Sequence, residues 1–175
     1  AVDKILENSY FFNEERVVWD FIGGEPLLEI DLITNIVDYI EMRLEALSHH
    51  WKNNYGIRIT TNGLLYKSQK VQNFISKYQN ILNLSISIDG TKRKQDLNRV
   101  FPNGKGSYDI VSKSVKLWSR QFDNIATKMV ISSEDLPFVA ESGIHLLELG
   151  IIKLDMNLVV EDVWHEGDDL ILEEQ

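Results

Sequence analysis

With 175 residues, 43% of them hydrophobic and 26% charged, the chain has the size and composition of one ordinary soluble domain that can bury a core. A net charge of −9 argues against a non-specific nucleic-acid binder, which leans on a basic face; the one basic cluster, Lys92, Arg93 and Lys94, reads as a solvated loop. There is no cysteine, which excludes disulfides, thiolate catalysis and cysteine-ligated clusters within this segment.

Residues Ala1 to Tyr10 lack the apolar core of a signal peptide, and no stretch approaches the ~20 apolar residues of a membrane span, so no membrane partner and a cytoplasmic location are expected. The first dozen residues read as the tail of a helix whose preceding strand is absent, as if the chain began partway through a fold. Val17 to Ile22 is an apolar run with the character of a buried strand, closed by Gly23, Gly24, Glu25 and Pro26. Two glycines bare the backbone and Pro26 suits a first helical turn. Such a turn either links strand to helix or holds a small zwitterion by its main chain, with Glu25 facing an ammonium; spacing alone does not choose.

Ile33, Ile36, Val37, Ile40, Leu44 and Leu47 then fall at helical spacing on one face, ending near His49, His50 and Trp51. Gly56 to Thr61 is the next strand, turned by Asn62 and Gly63, with a helix marked by Val71, Phe74, Ile75 and Tyr78 behind it. Leu82 to Ile88 is a strand, and Ser107 stands where an N-cap is expected ahead of Ile110, Val111, Ser114, Leu117 and Trp118. Ile125 to Ile131 is another strand, Pro137 opens a helix that Gly150 closes, and Ile151 to Val160 is the last strand. Strand and helix alternate throughout, the pattern of a parallel sheet.

The strands divide by face. Leu82, Leu84, Ile86 and Ile88 oppose Asn83, Ser85, Ser87 and Asp89; Ile57, Ile59 and Thr61 oppose Arg58, Thr60 and Asn62; Ile152, Leu154, Met156 and Leu158 oppose Lys153, Asp155 and Asn157. Asp20 and Lys128 add charge on two further strands. A doubly wound sheet needs both faces apolar, and a closed eight-strand barrel is filled by aliphatic layers. An open, partial barrel with a polar, ligand-filled interior fits better, its ligand at the carboxyl ends of the strands. The alternative is that these polar groups pair with one another in an ordinary barrel core.

The segments WDFIGGEPLLEIDLI, ITTNGLL and SISIDGTKRKQDLNRVFPNGKGSYDIV, in that order and at barrel-repeat spacing, resemble the radical S-adenosylmethionine (SAM) enzymes. The likeness is to peptide and protein maturases with an auxiliary cluster-binding C-terminal domain, and the tail NLVVEDVWHEGDD is similar to a subgroup acting on short cysteine-repeat precursor peptides. The resemblance implies an α/β fold, a partial (β/α)6 TIM-like barrel lacking its first strand and cluster loop, with 1–160 as core and 161–175 as an acidic segment toward a missing C-terminal domain. It implies oxidoreductase chemistry in the full-length enzyme: a [4Fe-4S] cluster, reduced by a donor such as ferredoxin or flavodoxin, gives one electron to the sulfonium of SAM, and the resulting carbon radical takes hydrogen from a ribosomally made peptide or protein.

Carried over residue by residue, the resemblance implies that the Gly23, Gly24, Glu25 and Pro26 backbone holds the amino group of the cofactor's methionine part. Thr60, Asn62, Ser87 and Asp89 then approach ribose and carboxylate, Arg99 is a candidate carboxylate clamp, and Asn157 lies near the adenosine. Two departures stand out. Gln95 occupies a position where many relatives carry histidine, and the family's three-cysteine motif is absent, so the segment alone is expected to be inactive and to ligate no metal.

Remaining features have plain readings. Adjacent His49 and His50 point about 100° apart on a helix and make poor joint ligands. His165, Asp168 and Asp169 read as a solvated loop. Gly104, Lys105, Gly106 and Ser107 lack the spacing of a nucleotide-phosphate loop and read as a turn or lid. The acidic run with Glu161, Asp162, Glu166, Asp168, Asp169, Glu173 and Glu174 is a linker or a docking surface for a basic leader peptide. Val17 to Ile22 is expected to be an exposed edge strand that invites self-association. Besides the maturase, the sequence leaves open a non-redox barrel enzyme binding an amino-acid or phosphorylated ligand, and a non-catalytic peptide-binding module.

Overall fold

A computed structural model describes all residues except 9–11, 162 and 175. The expectations that fall on Tyr10, on Asp162 and on part of the first dozen residues therefore lie outside the described residues. The chain forms two compact units, one of Ala1–Thr61 with Ser68–Leu84 and the other of Asn62–Lys67 with Ser85–Gln175.

In the first unit, α1 (Val2–Leu6) precedes β1 (Val17–Phe21), α2 (Ile30–Ala46), β2 (Tyr55–Thr61) and α3 (Gln69–Tyr78). β1 and β2 run parallel with Asp20 in register with Arg58, and β3 (Leu82–Ile86) completes a three-stranded sheet in the order β1-β2-β3. α2 buries Ile30, Ile33, Val37, Ile40 and Leu44, the stripe that its 3.6-residue spacing foretells. Leu6, Ile40, Leu44 and Trp51 form one packed cluster, and Asp3 ties α1 to α2 through Arg43 at 2.7 Å. α3 starts at Ser68, whose hydroxyl accepts from the Val71 N–H, and buries Val71, Phe74, Ile75 and Tyr78.

The second unit carries α4 (Lys92–Asn98), α5 (Tyr108–Gln121), β4 (Ala126–Ile131), α6 (Val139–Glu148), β5 (Lys153–Leu158) and α7 (Asp168–Glu173). β4 and β5 are parallel, with Lys128 opposite Asp155 and Val130 opposite Asn157. α6 ends at Leu149 with Gly150 at φ 94°, a left-handed residue that releases the chain toward β5. Among the described residues the fold is therefore α/β with parallel strands, in two small sheets, neither of them closed.

Several expectations need correction. The Lys92, Arg93 and Lys94 cluster is the start of α4: Lys92 meets Asp109, Arg93 lies 4.0 Å over the Phe138 ring, and Lys94 is fully buried against Asp135. Ser107 stands ahead of α5 without a side-chain cap, because its hydroxyl accepts from the Gln95 amide; Asp96 instead takes the Tyr108 N–H at 2.9 Å. Pro137 lies inside a 3-10 turn, Ser133–Phe138, and α6 begins after it. The apolar side of β5 stays uncovered: Met156 and Leu158 are each 54% exposed. The reason is local, since α6 comes close to β5 at Gly143, beside Leu154, and packs itself through Val139, Ser142 and Leu146.

Candidate functional site

The exit of β1 is built by two glycines in left-handed conformations, Gly23 at φ 110° and Gly24 at φ 23°. A Cβ added at either would meet nothing within 4 Å, so glycine is used for its backbone angles and leaves open space in front of the main chain. Glu25 turns its carboxylate back onto the following turn: Oε1 accepts the Leu27 N–H at 3.0 Å and the Thr61 hydroxyl at 2.6 Å, capping the 3-10 turn Pro26–Glu29. This carboxylate is thus an N-cap first, which holds the glycine turn against the end of β2. On the polar face of β2, Thr60 is exposed and Arg58 pairs with Asp20, its Nε donating at 2.8 Å.

In the second unit the expected residues Asp89 and Arg99 come together. Asp89, 4% exposed in the segment that follows β3, pairs through both oxygens with the Arg99 guanidinium, and its Oδ1 also takes the Val130 N–H at 3.0 Å. Its own N–H donates to the Gln95 side chain at 2.8 Å, and Gln95 in turn donates to Ser107 at 3.1 Å. A wholly buried glutamine is therefore satisfied by its neighbours at both ends of the amide, which gives it a structural role. Arg99 stays partly exposed and walls two cavities. The smaller, about 200 Å³, has Asn62, Gln95, Phe101 and Ser107 on its walls; the larger, about 680 Å³, has Asn98, Val130, Glu134, Val159 and His165.

The larger cavity rests on a rigid support. Lys94 and Asp135 form an ion pair at 2.9 Å, each 1% exposed, and Lys94 also donates to the Val130 carbonyl at 2.6 Å. Asp135 accepts both the N–H and the hydroxyl of Ser132 at 3.1 Å, a capping box that fixes the chain as it leaves β4. Ser133 and Glu134 are thereby presented to the cavity, and the Ser133 hydroxyl lies 2.7 Å from His165 Nδ1.

Of the expected residues, Asn62 lies at the smaller cavity with its Oδ1 accepting the Leu64 N–H at 3.0 Å; Ser87 is half-buried, and Asn157 is exposed on β5. Sequence reasoning missed Asn98, Ser132, Ser133 and Glu134, although the S-x-x-D pattern directly after a strand was a readable sign of a fixed strand exit. His49 and His50 stack at 4.3 Å, and among the described residues no group of acidic or histidine side chains has the arrangement of a metal site. The Gly104 loop is a turn, with Gly104 at φ 78° and its N–H bonded to Phe101.

No family model matches the chain. Similarity to individual proteins is extensive. Over 91% of its length it is 27% identical to an uncharacterized protein of Methanocaldococcus jannaschii, and over 68% it is 28% identical to a cysteine-type anaerobic sulfatase-maturating enzyme of Clostridium novyi. Over 89% it is 24% identical to the radical SAM cyclopropyl synthase TigE of Paramaledivibacter caminithermalis. The chain is similar in sequence to radical SAM enzymes. It spans 50% of the first of these proteins and 30% and 31% of the other two.

Solved structures show the same fold. The structure of native anSMEcpe with bound AdoMet matches 94% of this chain at a TM-score of 0.73 and 18% identity, and its complex with AdoMet and the Kp18Cys peptide matches at 0.74 and 19%. Streptococcus suis SuiB bound to S-adenosylmethionine matches 90% at 0.57. The chain covers 43%, 44% and 33% of these three, and at such identities the likeness concerns the fold alone.

The open, left-handed glycine backbone after β1 fits a small zwitterion held by main-chain groups. A [4Fe-4S] cluster needs thiolates, and the chain contributes none.

Proposed function

We propose that this chain is the SAM-binding core of a radical SAM maturase that takes hydrogen from a side chain of a ribosomally made peptide or protein. The observation that carries the reading is the pair of left-handed glycines, open to solvent, at the carboxyl end of a parallel strand. In this reading Gly23 to Pro26 hold the methionine amino group by backbone atoms, and Glu25 acts on it through the turn that it caps. Thr60, Asn62, Ser87 and Asp89 serve ribose and carboxylate, Arg99 offers its planar fork to the carboxylate, and Asn157 serves the adenosine.

The Asp89 partnership gives Arg99 a defined orientation before any ligand arrives. A second carboxylate then meets a guanidinium already aimed, at a lower ordering cost. The partial barrel, the division into a core at 1–160 and an acidic segment at 161–175, the cytoplasmic setting, a ferredoxin- or flavodoxin-like donor and self-association through β1 belong to the same reading. With no thiolate to hold a cluster, the chain by itself is proposed to bind SAM without cleaving it.

Calorimetry tests this. Weak, saturable SAM binding is expected, reduced in Arg99→Ala and in Gly23→Val, each checked for folding. Binding unaltered by both substitutions would overturn the assignment.

A further inference from the structure

After β5 the second unit brings apolar side chains and carboxylates onto one surface. Leu158, Trp164 and Leu172 line an open groove of about 560 Å³ that Glu166, Asp168 and Asp169 border. The groove is held in shape from within: the Trp164 indole N–H donates to the Val159 carbonyl at 2.9 Å, and the His165 N–H to the Asp168 carboxylate at 2.7 Å. Gly167, at φ 92°, turns the chain into α7. Around this floor Leu158 is 54% exposed, Leu172 38% and Val160 97%, a concentration of apolar surface that points to a binding partner.

Charge selects the partner. Beyond Lys153 the sequence has no lysine or arginine, while Asp155, Glu161, Glu166, Asp168, Asp169, Glu173 and Glu174 crowd the same stretch. Among the described residues, the ion pair found in this stretch is a long one, His165 to Asp168 at 3.9 Å. Glu166 and Asp169 are exposed beside an aromatic and two leucines. Leu158 is also the last residue of β5, which among the described residues pairs with β4 alone and so leaves main-chain groups for an extended chain to meet.

We propose that this groove docks an extended peptide segment in which an apolar or aromatic residue is flanked by lysine or arginine. The apolar side chain packs on Leu158, Trp164 and Leu172, and the flanking cations meet Glu166 and Asp169. The proposal stands apart from the cofactor reading and does not need it.

The test is fluorescence anisotropy with a labelled Lys-Leu-Lys-Phe-Lys-Leu-Lys peptide and its glutamate counterpart. The basic peptide binds and the acidic one does not. Trp164→Ala and the Glu166→Lys/Asp169→Lys pair each weaken binding by about tenfold or more, as loss of an anchor or of a charge pair at an interface does. Raising salt from about 50 to about 300 mM weakens it further. The charge-reversed pair lies on the surface and keeps the test valid if Trp164→Ala fails to fold. Equal affinity in both variants would reduce the effect to diffuse attraction by an acidic chain and overturn the proposal. So would an absence of binding, or a concentration-dependent dimer that Trp164→Ala dissolves, since a second copy would then cover the groove.

Discussion

Lys94 is the residue whose role departs furthest from its sequence character. A lysine in a basic triplet next to a glycine turn looks like a solvent group, yet it is buried against Asp135 and the Val130 carbonyl. Removing one partner of a buried pair leaves the other charge uncompensated, so Lys94→Met is expected to destabilise the chain by about 3–5 kcal/mol in urea unfolding. A loss below about 1 kcal/mol would mean that water reaches Asp135 and the pair is not closed. Glycines divide in the same physical way. At Gly90 (φ 137°) a Cβ would lie 2.1 Å from the Ser142 Cβ, whereas at Gly23 it would meet nothing. Gly23→Ala should therefore cost about 1–3 kcal/mol, the backbone term alone, and Gly90→Ala distinctly more; equal losses in thermal melts would contradict the geometry. Nothing in the sequence separates these two glycines, because what differs is the partner across the fold.

Elements were legible where one face is buried and illegible where partners decide. The β2 pattern, with Ile57, Ile59 and Thr61 buried and Arg58 and Thr60 exposed, was readable from alternation. The same alternation in β5 misled, because periodicity states which residues share a face and not whether anything covers that face. The turn after β1 was legible as a glycine turn that bares its backbone, while Glu25 as its cap was not. A second 3-10 turn, His50–Asn53, ahead of β2, carries a pH response. His49 Nδ1 accepts the Trp51 N–H at 3.2 Å, and burial, then the adjacent His50, holds its pKa below the usual 6.5. The folded state thus resists a proton that the unfolded chain accepts, so this contribution is whole above pH 6.5 and is lost as pH falls below it. Urea midpoints at neutral and mildly acidic pH should fall less in His49→Asn, which keeps a capping acceptor; an equal fall would assign the response elsewhere.

At the scale of the whole molecule, order and spacing of the motifs carried the family likeness, and the relatives and the fold agree with it. No helix among the described residues is long and apolar enough to cross a membrane. Among the described residues β1 pairs with β2 alone, and Val18 and Ile22 are 46% and 73% exposed, which leaves an edge open to pairing. Sedimentation over a range of concentrations should show association that Val18→Lys suppresses; a monomer throughout would remove β1 from the account. The central claim is that the glycine turn after β1 receives the methionine part of SAM. An amide NMR titration of the chain with SAM measures this residue by residue. The account predicts saturable shifts at Gly23, Gly24, Asn62 and Arg99, with methionine alone moving the first two. Unmoved glycine signals at saturating SAM, or shifts confined to other surfaces, would contradict it.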